Sequence, residues 1–271
     1  MGRSARIGSV PGHSAVKSLR VLHDGGGVFR VDVSGWPEAA DPANPGAVFG
    51  DYWPPMGWRL AQGAEPDADT DTEAERVFHV DLSSEASLAR FESDFGLYLS
   101  EHLAGKVAVH AALLRIGEFL LIVPGSSGVG KSTLSRAALD AGFEVWSDEY
   151  CLIDTETGEV SGWPRPVRER LVGGGLRRIP LPGPHGPGVA THVLMLKFDS
   201  QTEGVELSPL SPGDVALGLL ANTVCARSRP EESFRAAARL ARSVSGWTGT
   251  RGEVTEALAR LPEVLRESLP A

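Results

Sequence analysis

The sequence predicts an α/β fold with a mixed sheet around a phosphate-loop NTPase-like core, and three observations predict it. Residues 119–133 read Phe-Leu-Leu-Ile-Val-Pro-Gly-Ser-Ser-Gly-Val-Gly-Lys-Ser-Thr, a short apolar run that leads into a glycine-rich loop. A helical pattern follows at once and ends at Gly142. Further strand candidates at 77–82, 106–114, 143–147 and 193–198 and a helical pattern from Ser84 flank this unit, as expected in an α/β domain.

The glycine-rich loop matches G-x-x-x-x-G-K-[ST], the phosphate-binding pattern, between the strand and the helix that the pattern requires. Glycines allow the backbone to wrap with its N–H groups pointing inward, and the helix N-terminus adds positive potential. Lys131 would reach the outer phosphates, and Ser132 would hold a magnesium ion. The predicted nucleotide-binding residues are Gly125, Ser126, Ser127, Gly128, Val129, Gly130, Lys131, Ser132 and Thr133. A chance match is the alternative, because the chain has 32 glycines.

Composition excludes several classes of protein. The net charge of −9 and the pI of about 5.3 argue against a nucleic-acid partner or an anionic membrane surface. No segment approaches the roughly 20 apolar residues that span a bilayer. Cys151 and Cys225 lie in apolar segments and are interpreted as small buried residues rather than a disulfide. We therefore expect a reduced, cytoplasmic protein that neither binds nucleic acid nor enters a membrane.

The chain is predicted to have two parts. Residues 1–100 form an N-terminal β-rich and helical region of unknown role, with strands at 19–22 and 28–33, an irregular stretch and a helix from Ser84. Residues 101–271 form the phosphate-loop domain, which ends in helices that begin at Ser211 and Pro230. A last helix follows the capping box 250–253 and is expected to kink or break at Pro262.

Three features near the loop are candidates for chemistry. His110 lies on a strand predicted to run beside the loop, although most such histidines are satisfied core residues. Asp148 and Glu149 follow the strand 143–147, where carboxylates can hold magnesium or take a proton; a turn-forming pair is the alternative. Residues 163–190, rich in proline and glycine, are predicted to be a mobile segment over the site. Within that segment, Arg165 and Arg168 could meet phosphates, although solvated surface arginines are commoner.

Taken together, Val109-His110, the phosphate loop and Ser147-Asp148-Glu149 resemble the HPr kinase/phosphorylase family, and more closely its short stand-alone relatives. In that family a strand carries Val-His, an adjacent strand ends in a GxSGxGKS loop, and a helix leads to a strand that ends in Ala-Asp-Asp. The resemblance covers about 101–198. A phosphate loop alone is common to many families, whereas the three pieces at these intervals are far more selective.

The resemblance implies a core like that of phosphoenolpyruvate carboxykinase and a transfer of phosphate from ATP, with Mg²⁺, to a serine hydroxyl. Asp148 would be the general base, and Lys131 would stabilise charge on the transferring group. His110 would lie near the γ-phosphate. Glu149 and Ser132 would serve the metal. The acceptor would be a protein or a peptide, and the short relatives' link with peptide-modifying pathways favours a precursor peptide.

The sequence also departs from the full-length bifunctional members of the family. Thr133 replaces the acidic residue after the loop serine, Glu149 replaces the second aspartate, and the Glu-x-Arg-Gly-Leu-Gly segment used for phosphorolysis is missing. These departures favour a kinase without phosphorylase activity. A small-molecule kinase and a nucleotide-gated binding protein on the same core stay as alternatives, and an oligomer is compatible with the sequence.

Overall fold

The computed structural model describes residues 16–23, 26–53, 56–60, 74–126, 128–170, 176–182 and 185–267. They form two compact units that divide between Phe95 and Gly96, with Met56 and Gly57 grouped with the second unit. Within the described ranges, no helix is both long and apolar enough to span a lipid bilayer.

The N-terminal unit is built on a four-stranded sheet. Its elements are β1 (Lys17–His23), β2 (Val28–Ser34), α1 (Pro45–Phe49), a 3₁₀ turn (Gly50–Tyr52), β3 (Trp58–Leu60), β4 (Arg76–Asp81) and the first part of α2 (Glu85–Glu101). The strand order is β3-β1-β2-β4, and the strands predicted at 19–22 and 28–33 are present as the antiparallel pair β1–β2. One face of the sheet is buried by an aromatic cluster of Phe29, Phe49, Trp53, Phe78, Phe91 and Phe95.

The C-terminal unit is built on an eight-stranded mixed sheet. In chain order its elements are β5 (Lys106–Ile116), β6 (Phe119–Pro124), α3 (Lys131–Asp140), β7 (Glu144–Ser147), β8 (Tyr150–Asp154), β9 (Val160–Gly162), β10 (Val167–Arg170), β11 (Leu176–Ile179), β12 (His192–Phe198), β13 (Val205–Leu210), α4 (Pro212–Ala221), a 3₁₀ turn (Val224–Ala226), α5 (Pro230–Ala241), β14 (Ser245–Arg251) and α6 (Val254–Glu267). The sheet order is β13-β14-β12-β6-β5-β8-β9, with β7 also paired to β5. Strands β6, β12 and β14 are parallel and the other pairs are antiparallel, which confirms the predicted α/β class with a mixed sheet.

Helices cover both faces of this sheet. On β5, Val107, Val109 and Leu113 pack into a core with α4 and α5, and the alternate residues Ala112 and Leu114 pack into a second core with α3 and α6. Strand β6 is buried throughout, as expected for a central strand with helices on both sides. The phosphate loop therefore starts from a strand that is buried on both faces. Cys151 and Cys225 are buried and free, as predicted.

Three sequence predictions need correction. The segment 163–190 is not structureless, because β10 and β11 form an antiparallel hairpin within it; its glycines at 173–175 lie outside the described residues. The capping box at 250–253 is wrong, because Thr250 belongs to β14. Pro262 does not break the last helix, since α6 continues through it to Glu267. Buried leucines on both sides of Pro262 hold the helix against the sheet, which offsets the missing backbone hydrogen bond.

Candidate active site

The phosphate loop connects the end of β6 to the start of α3. Gly128 and Gly130 have φ angles of 91° and 92°, a backbone conformation that glycine adopts without the steric cost of a side chain. A Cβ atom on Gly130 would lie 2.4 Å from Nη2 of Arg251, so the third loop glycine also permits a close approach. Ser127, one of the predicted nucleotide-binding residues, lies outside the described residues.

The start of α3 offers positive potential. Among the described residues, no side chain caps this helix end, and its first turn carries no acidic residue. Ser132 and Thr133 are exposed in the same turn. Free N–H groups at the N-terminus of a ten-residue helix favour an anion, as the sequence pattern predicts.

Lys131 folds back over the loop. Its Nζ atom donates hydrogen bonds to the carbonyl oxygens of Gly125 (2.6 Å) and Ser126 (2.9 Å). The residue is only 7% exposed, and burial lowers the pKa of its ammonium group, while the carboxylates of Glu149 and Asp148 oppose that shift. The cation is thus held at the mouth of the loop, close to the acidic pair.

Asp148 lies at the end of β7 and faces the loop. Its Oδ2 atom accepts a hydrogen bond from the Ser132 hydroxyl at 3.2 Å. Its Oδ1 atom is buried and accepts no hydrogen bond from any residue in the described part of the chain. Burial raises the pKa of Asp148 to about 6, although the positive charge of Arg165 opposes this shift. A carboxylate with a pKa near neutrality can both accept and release a proton at physiological pH.

Glu149 points to a different partner. Its carboxylate forms an ion pair with Arg165, at 2.5 Å between Nη2 and Oε2, and its Oε1 atom lies 3.9 Å from Nε2 of His110. Burial, followed by the charge of Lys131, lowers the pKa of His110, while the Glu149 carboxylate opposes that shift. His110 is therefore a neutral imidazole near pH 7, able to donate or accept a hydrogen bond.

The backbone of β5 and β6 brings these groups together. The Gly125 N–H donates to the carbonyl oxygen of His110 at 3.2 Å, and the Ala111 N–H donates to the carbonyl oxygen of Glu149 at 3.1 Å. The structure therefore places His110 beside the phosphate loop, as the strand pattern predicted. Sequence reasoning assigned Arg165 to a mobile segment, whereas it is buried, and the neighbouring Trp163 packs edge-on against Tyr150.

Two cavities border the acidic pair and the start of α3. A groove of about 420 Å³ is open to solvent and is lined by His110, Ser126, Glu149, Tyr150, Asn222 and Thr223. A second cavity, of about 570 Å³, runs along α3, and four of its nine lining residues are charged: Arg136, Asp140, Arg168 and Glu169. Sequence reasoning missed Asn222 and Thr223, whose position depends on the end of α4. Their only local signal is the end of the apolar pattern that begins after Ser211.

The arrangement joins a glycine-rich loop at an uncapped helix N-terminus and a buried cation to a carboxylate pair, with a neutral imidazole close by. These are the parts that transfer of a phosphoryl group to a hydroxyl requires: a cradle for the phosphates, positive charge for the transferring group and a proton acceptor.

Comparison with known proteins confirms the predicted resemblance. The HPr kinase/phosphorylase of Peptoclostridium acidaminophilum is 31% identical over 90 residues, which are 33% of this chain and 29% of that protein. The HPr kinase/phosphorylase of Mycoplasmopsis pulmonis is 28% identical over 87 residues, 32% of this chain and 28% of that protein. That of Streptococcus sanguinis is 30% identical over 86 residues, 32% of this chain and 27% of that protein. The matches thus span less than a third of these relatives' own length.

A solved structure of the HPr(Ser) kinase/phosphatase from Coxiella burnetii aligns with 59% of this chain and 99% of that chain, at 14% identity and a TM-score of 0.34. No protein-family model matches the chain.

Proposed function

We propose that the protein is an ATP-dependent kinase that transfers the γ-phosphate to a serine hydroxyl of a protein or a peptide, with residues 101–271 as the kinase domain on a phosphoenolpyruvate carboxykinase-like core. The observation that carries the proposal is the contact between the loop hydroxyl of Ser132 and the buried carboxylate of Asp148. It supports a site in which the loop would hold the phosphates of the donor while a titratable carboxylate lies next to the phosphate that is transferred. The similarity to HPr kinase/phosphorylases supports the same reaction class.

The donor would bind along the loop. Backbone N–H groups of 125–133 would surround the phosphates, and Lys131 would exchange its two carbonyl partners for phosphate oxygens. The site fits Mg²⁺, because an exposed hydroxyl at Ser132 and the carboxylates of Asp148 and Glu149 are the oxygen donors that this ion prefers. We assign the ion to Ser132 and Glu149, with Glu149 leaving Arg165. When bound, the ion neutralises charge on the phosphates.

The transfer step follows from the charges. The acceptor oxygen attacks the γ-phosphorus, the bond to the β–γ bridging oxygen breaks, and the acceptor proton passes to Asp148. Lys131 stabilises the negative charge on the transferring group, and His110 lies within reach of it as a neutral hydrogen-bonding group. Arg165, which Glu149 releases when it binds the ion, adds a second positive charge on this side. A serine hydroxyl is a poor nucleophile, and a carboxylate with a pKa of about 6 suits the task of taking its proton.

The open groove beside His110 and Glu149 supports a protein or peptide as the acceptor. A small-molecule kinase would be expected to enclose its substrate, whereas this groove is open along Tyr150 and Asn222. Because the phosphorolysis segment is missing from the sequence, we propose that the enzyme works in the forward direction only.

Labelled-ATP transfer tests the proposal. The protein is incubated with γ-labelled ATP, Mg²⁺ and a library of serine-containing peptides, and phosphoserine is identified by mass spectrometry. Lys131→Ala removes the cation from the loop, so transfer is expected to fall by about a thousandfold or more. Arg266→Ala is the matched control and should transfer as the wild type does, because this exposed cation pairs with Glu118, which precedes β6 at the end opposite the loop.

Two results would contradict the proposal. Unchanged transfer by Lys131→Ala would remove the phosphate loop from the reaction. Tight ATP binding with no acceptor labelled would favour the nucleotide-gated binding protein. In the reverse assay, the phosphorylated peptide and inorganic phosphate are expected to yield no pyrophosphate.

A further inference from the structure

A separate cavity adjoins the phosphate loop on the side away from Asp148. Asp148 follows β7, which pairs with β5 on one side of β6, whereas β12 and β14 lie on the other side. Because β6, β12 and β14 are parallel, their carboxyl ends meet at one edge of the sheet, where ligands of α/β folds bind. The cavity lies at that edge. It has a volume of about 330 Å³ and is lined by Phe198, by the charged residues Arg251 and Glu253, and by small or apolar residues that include Val129, Gly130 and Val254.

An exposed aromatic ring forms one wall of this cavity. Phe198, the last residue of β12, is 53% exposed, and only one other phenylalanine in the described ranges, Phe234, is exposed to a similar degree. Phe234 lies on α5 and does not line this cavity. A large apolar side chain exposed at the edge of an anion-binding loop is typical of a surface that a ligand covers.

Arg251 connects the ring to the loop. It is 5% exposed, its guanidinium carbon lies 5.5 Å from the centroid of the Phe198 ring, and its Nη2 atom lies against Gly130. The buried cation thus lies against the phosphate loop, and the aromatic ring lies next to the cation. A nucleotide with its phosphates in the loop would bring negative charge to the cation and its flat base towards the ring.

The cavity along α3 is a poorer match for a base. It shares Thr133 and Val254 with the Phe198 cavity, but its other walls carry the charged side chains of Arg136, Asp140 and Glu169. A flat, largely apolar base ring gains more from an aromatic wall than from solvated charges.

We propose that the Phe198 cavity binds the base and ribose of a purine nucleotide, with the Phe198 ring as the stacking surface and Arg251 beside the inner phosphates. This inference rests on the proposed function, because the phosphates must occupy the loop. It also sets the direction of the bound nucleotide: the γ-phosphate points to Asp148 and the base lies over the ends of β12 and β14. A purine covers more of the ring than a pyrimidine does, so ATP should bind more tightly than CTP.

Calorimetry with three ligands tests the inference. ATP, CTP and inorganic tripolyphosphate are titrated, each with Mg²⁺, into the wild type, Phe198→Ala, Phe198→Tyr and Phe234→Ala. Loss of a base–aromatic stack should weaken ATP binding of Phe198→Ala about tenfold. Tripolyphosphate, which has no base, should bind this variant as it binds the wild type. Phe198→Tyr should keep the ATP affinity of the wild type. Phe234→Ala removes an equally exposed ring outside the cavity and should leave the affinities for ATP and tripolyphosphate unchanged.

The inference is overturned if Phe198→Ala binds ATP as the wild type does, or if it loses tripolyphosphate affinity to the same extent. A protein that binds ATP through Phe198 but phosphorylates no acceptor would refute the kinase activity and support the base site. Intact transfer with unchanged ATP affinity in Phe198→Ala would refute the base site alone.

Discussion

Burial determines the protonation of Asp148. The side chain is 2% exposed, and the cost of removing a carboxylate from water raises its pKa from 3.8 to about 6, against the opposing charge of Arg165. At neutral pH the group is mostly ionised and can accept a proton. The proposed role as a base therefore carries a cost in stability that can be measured.

Replacing Asp148 by Asn should raise the free energy of unfolding at neutral pH, and should raise it less at acidic pH. The folded-state pKa lies above the unfolded-state value by about two units, which corresponds to roughly 3 kcal/mol that the wild type loses as pH rises from about 4 to about 6. An asparagine at this position is neutral at every pH, so the variant does not lose this stability as pH rises. Urea unfolding of both proteins at about pH 4 and about pH 7.5 measures the difference.

Asp154→Asn is the matched control for this measurement. Hydrogen bonds from Thr157 and Glu156 lower the pKa of Asp154, so its carboxylate adds stability above its unfolded-state pKa and loses it as pH falls. The effect of Asp154→Asn should therefore have the opposite sign at neutral pH. A destabilised Asp148→Asn at about pH 7.5 would mean that the ionised carboxylate is stabilised by partners in the folded protein.

The sequence identified those candidate site residues that belong to a motif and missed the others. Lys131, Ser132 and the acidic pair follow from spacing along the chain. The ion pair between Glu149 and Arg165 does not, because it depends on how β8 and β9 return the chain to the site. No local pattern distinguishes such an arginine from a solvated one.

Among the elements, the loop and α3 depend most directly on single residues. Gly128 and Gly130 have nearly the same positive φ, but a Cβ atom on Gly128 would meet nothing within 4 Å, whereas one on Gly130 would displace the Arg251 guanidinium. The two glycines therefore allow a matched comparison of alanine substitutions, with and without a clash with Arg251.

Gly130→Ala should destabilise the protein more than Gly128→Ala. Both variants place an alanine in a left-handed conformation at a cost of about 1–2 kcal/mol, and only Gly130→Ala also moves a buried arginine. Denaturant midpoints at one temperature give the comparison. Equal losses would mean that Arg251 shifts at no cost and does not hold the loop.

Elements that depend on distant partners escaped prediction from the sequence. Strand β14 reads Ser-Gly-Trp-Thr-Gly-Thr-Arg and looks like a turn. Its glycines serve close packing: a Cβ atom on Gly249 would lie 1.8 Å from the Glu206 carbonyl oxygen, and one on Gly246 would lie 2.0 Å from Cγ2 of Val215. The β10–β11 hairpin was missed for a similar reason, since the prolines at 166 and 180 that flank it and the glycines at 173–175 suggest irregular structure. By contrast, the start of α4 at Ser211 was predicted correctly, because the signal is local: the Ser211 side chain accepts a hydrogen bond from the Asp214 N–H three residues later.

At the scale of the whole molecule, sheet topology accounts for the site. The antiparallel pair β5–β6 holds His110 against the loop, β7 brings Asp148 from one side, and β12 and β14 bring Phe198 and Arg251 from the other. Strand order is not encoded in local periodicity, so the sequence alone drew attention to Asp148 through a motif and could not predict that Phe198 and Arg251 lie on the other side of the loop. The boundary proposed after residue 100 stays a prediction, and the two compact units divide within α2.

The central claim is that Asp148 takes the acceptor proton beside a nucleotide that the loop binds. Asp148→Asn keeps the shape of the side chain and cannot accept that proton, so ATP affinity should stay within about threefold of the wild type while phosphoserine formation at saturating ATP falls by about a thousandfold. The measurement is the single-turnover rate of phosphoserine formation, taken with the ATP dissociation constant of the same sample. If Asp148→Asn loses ATP binding but still transfers phosphate at saturating ATP, Asp148 serves the metal and the claim is contradicted.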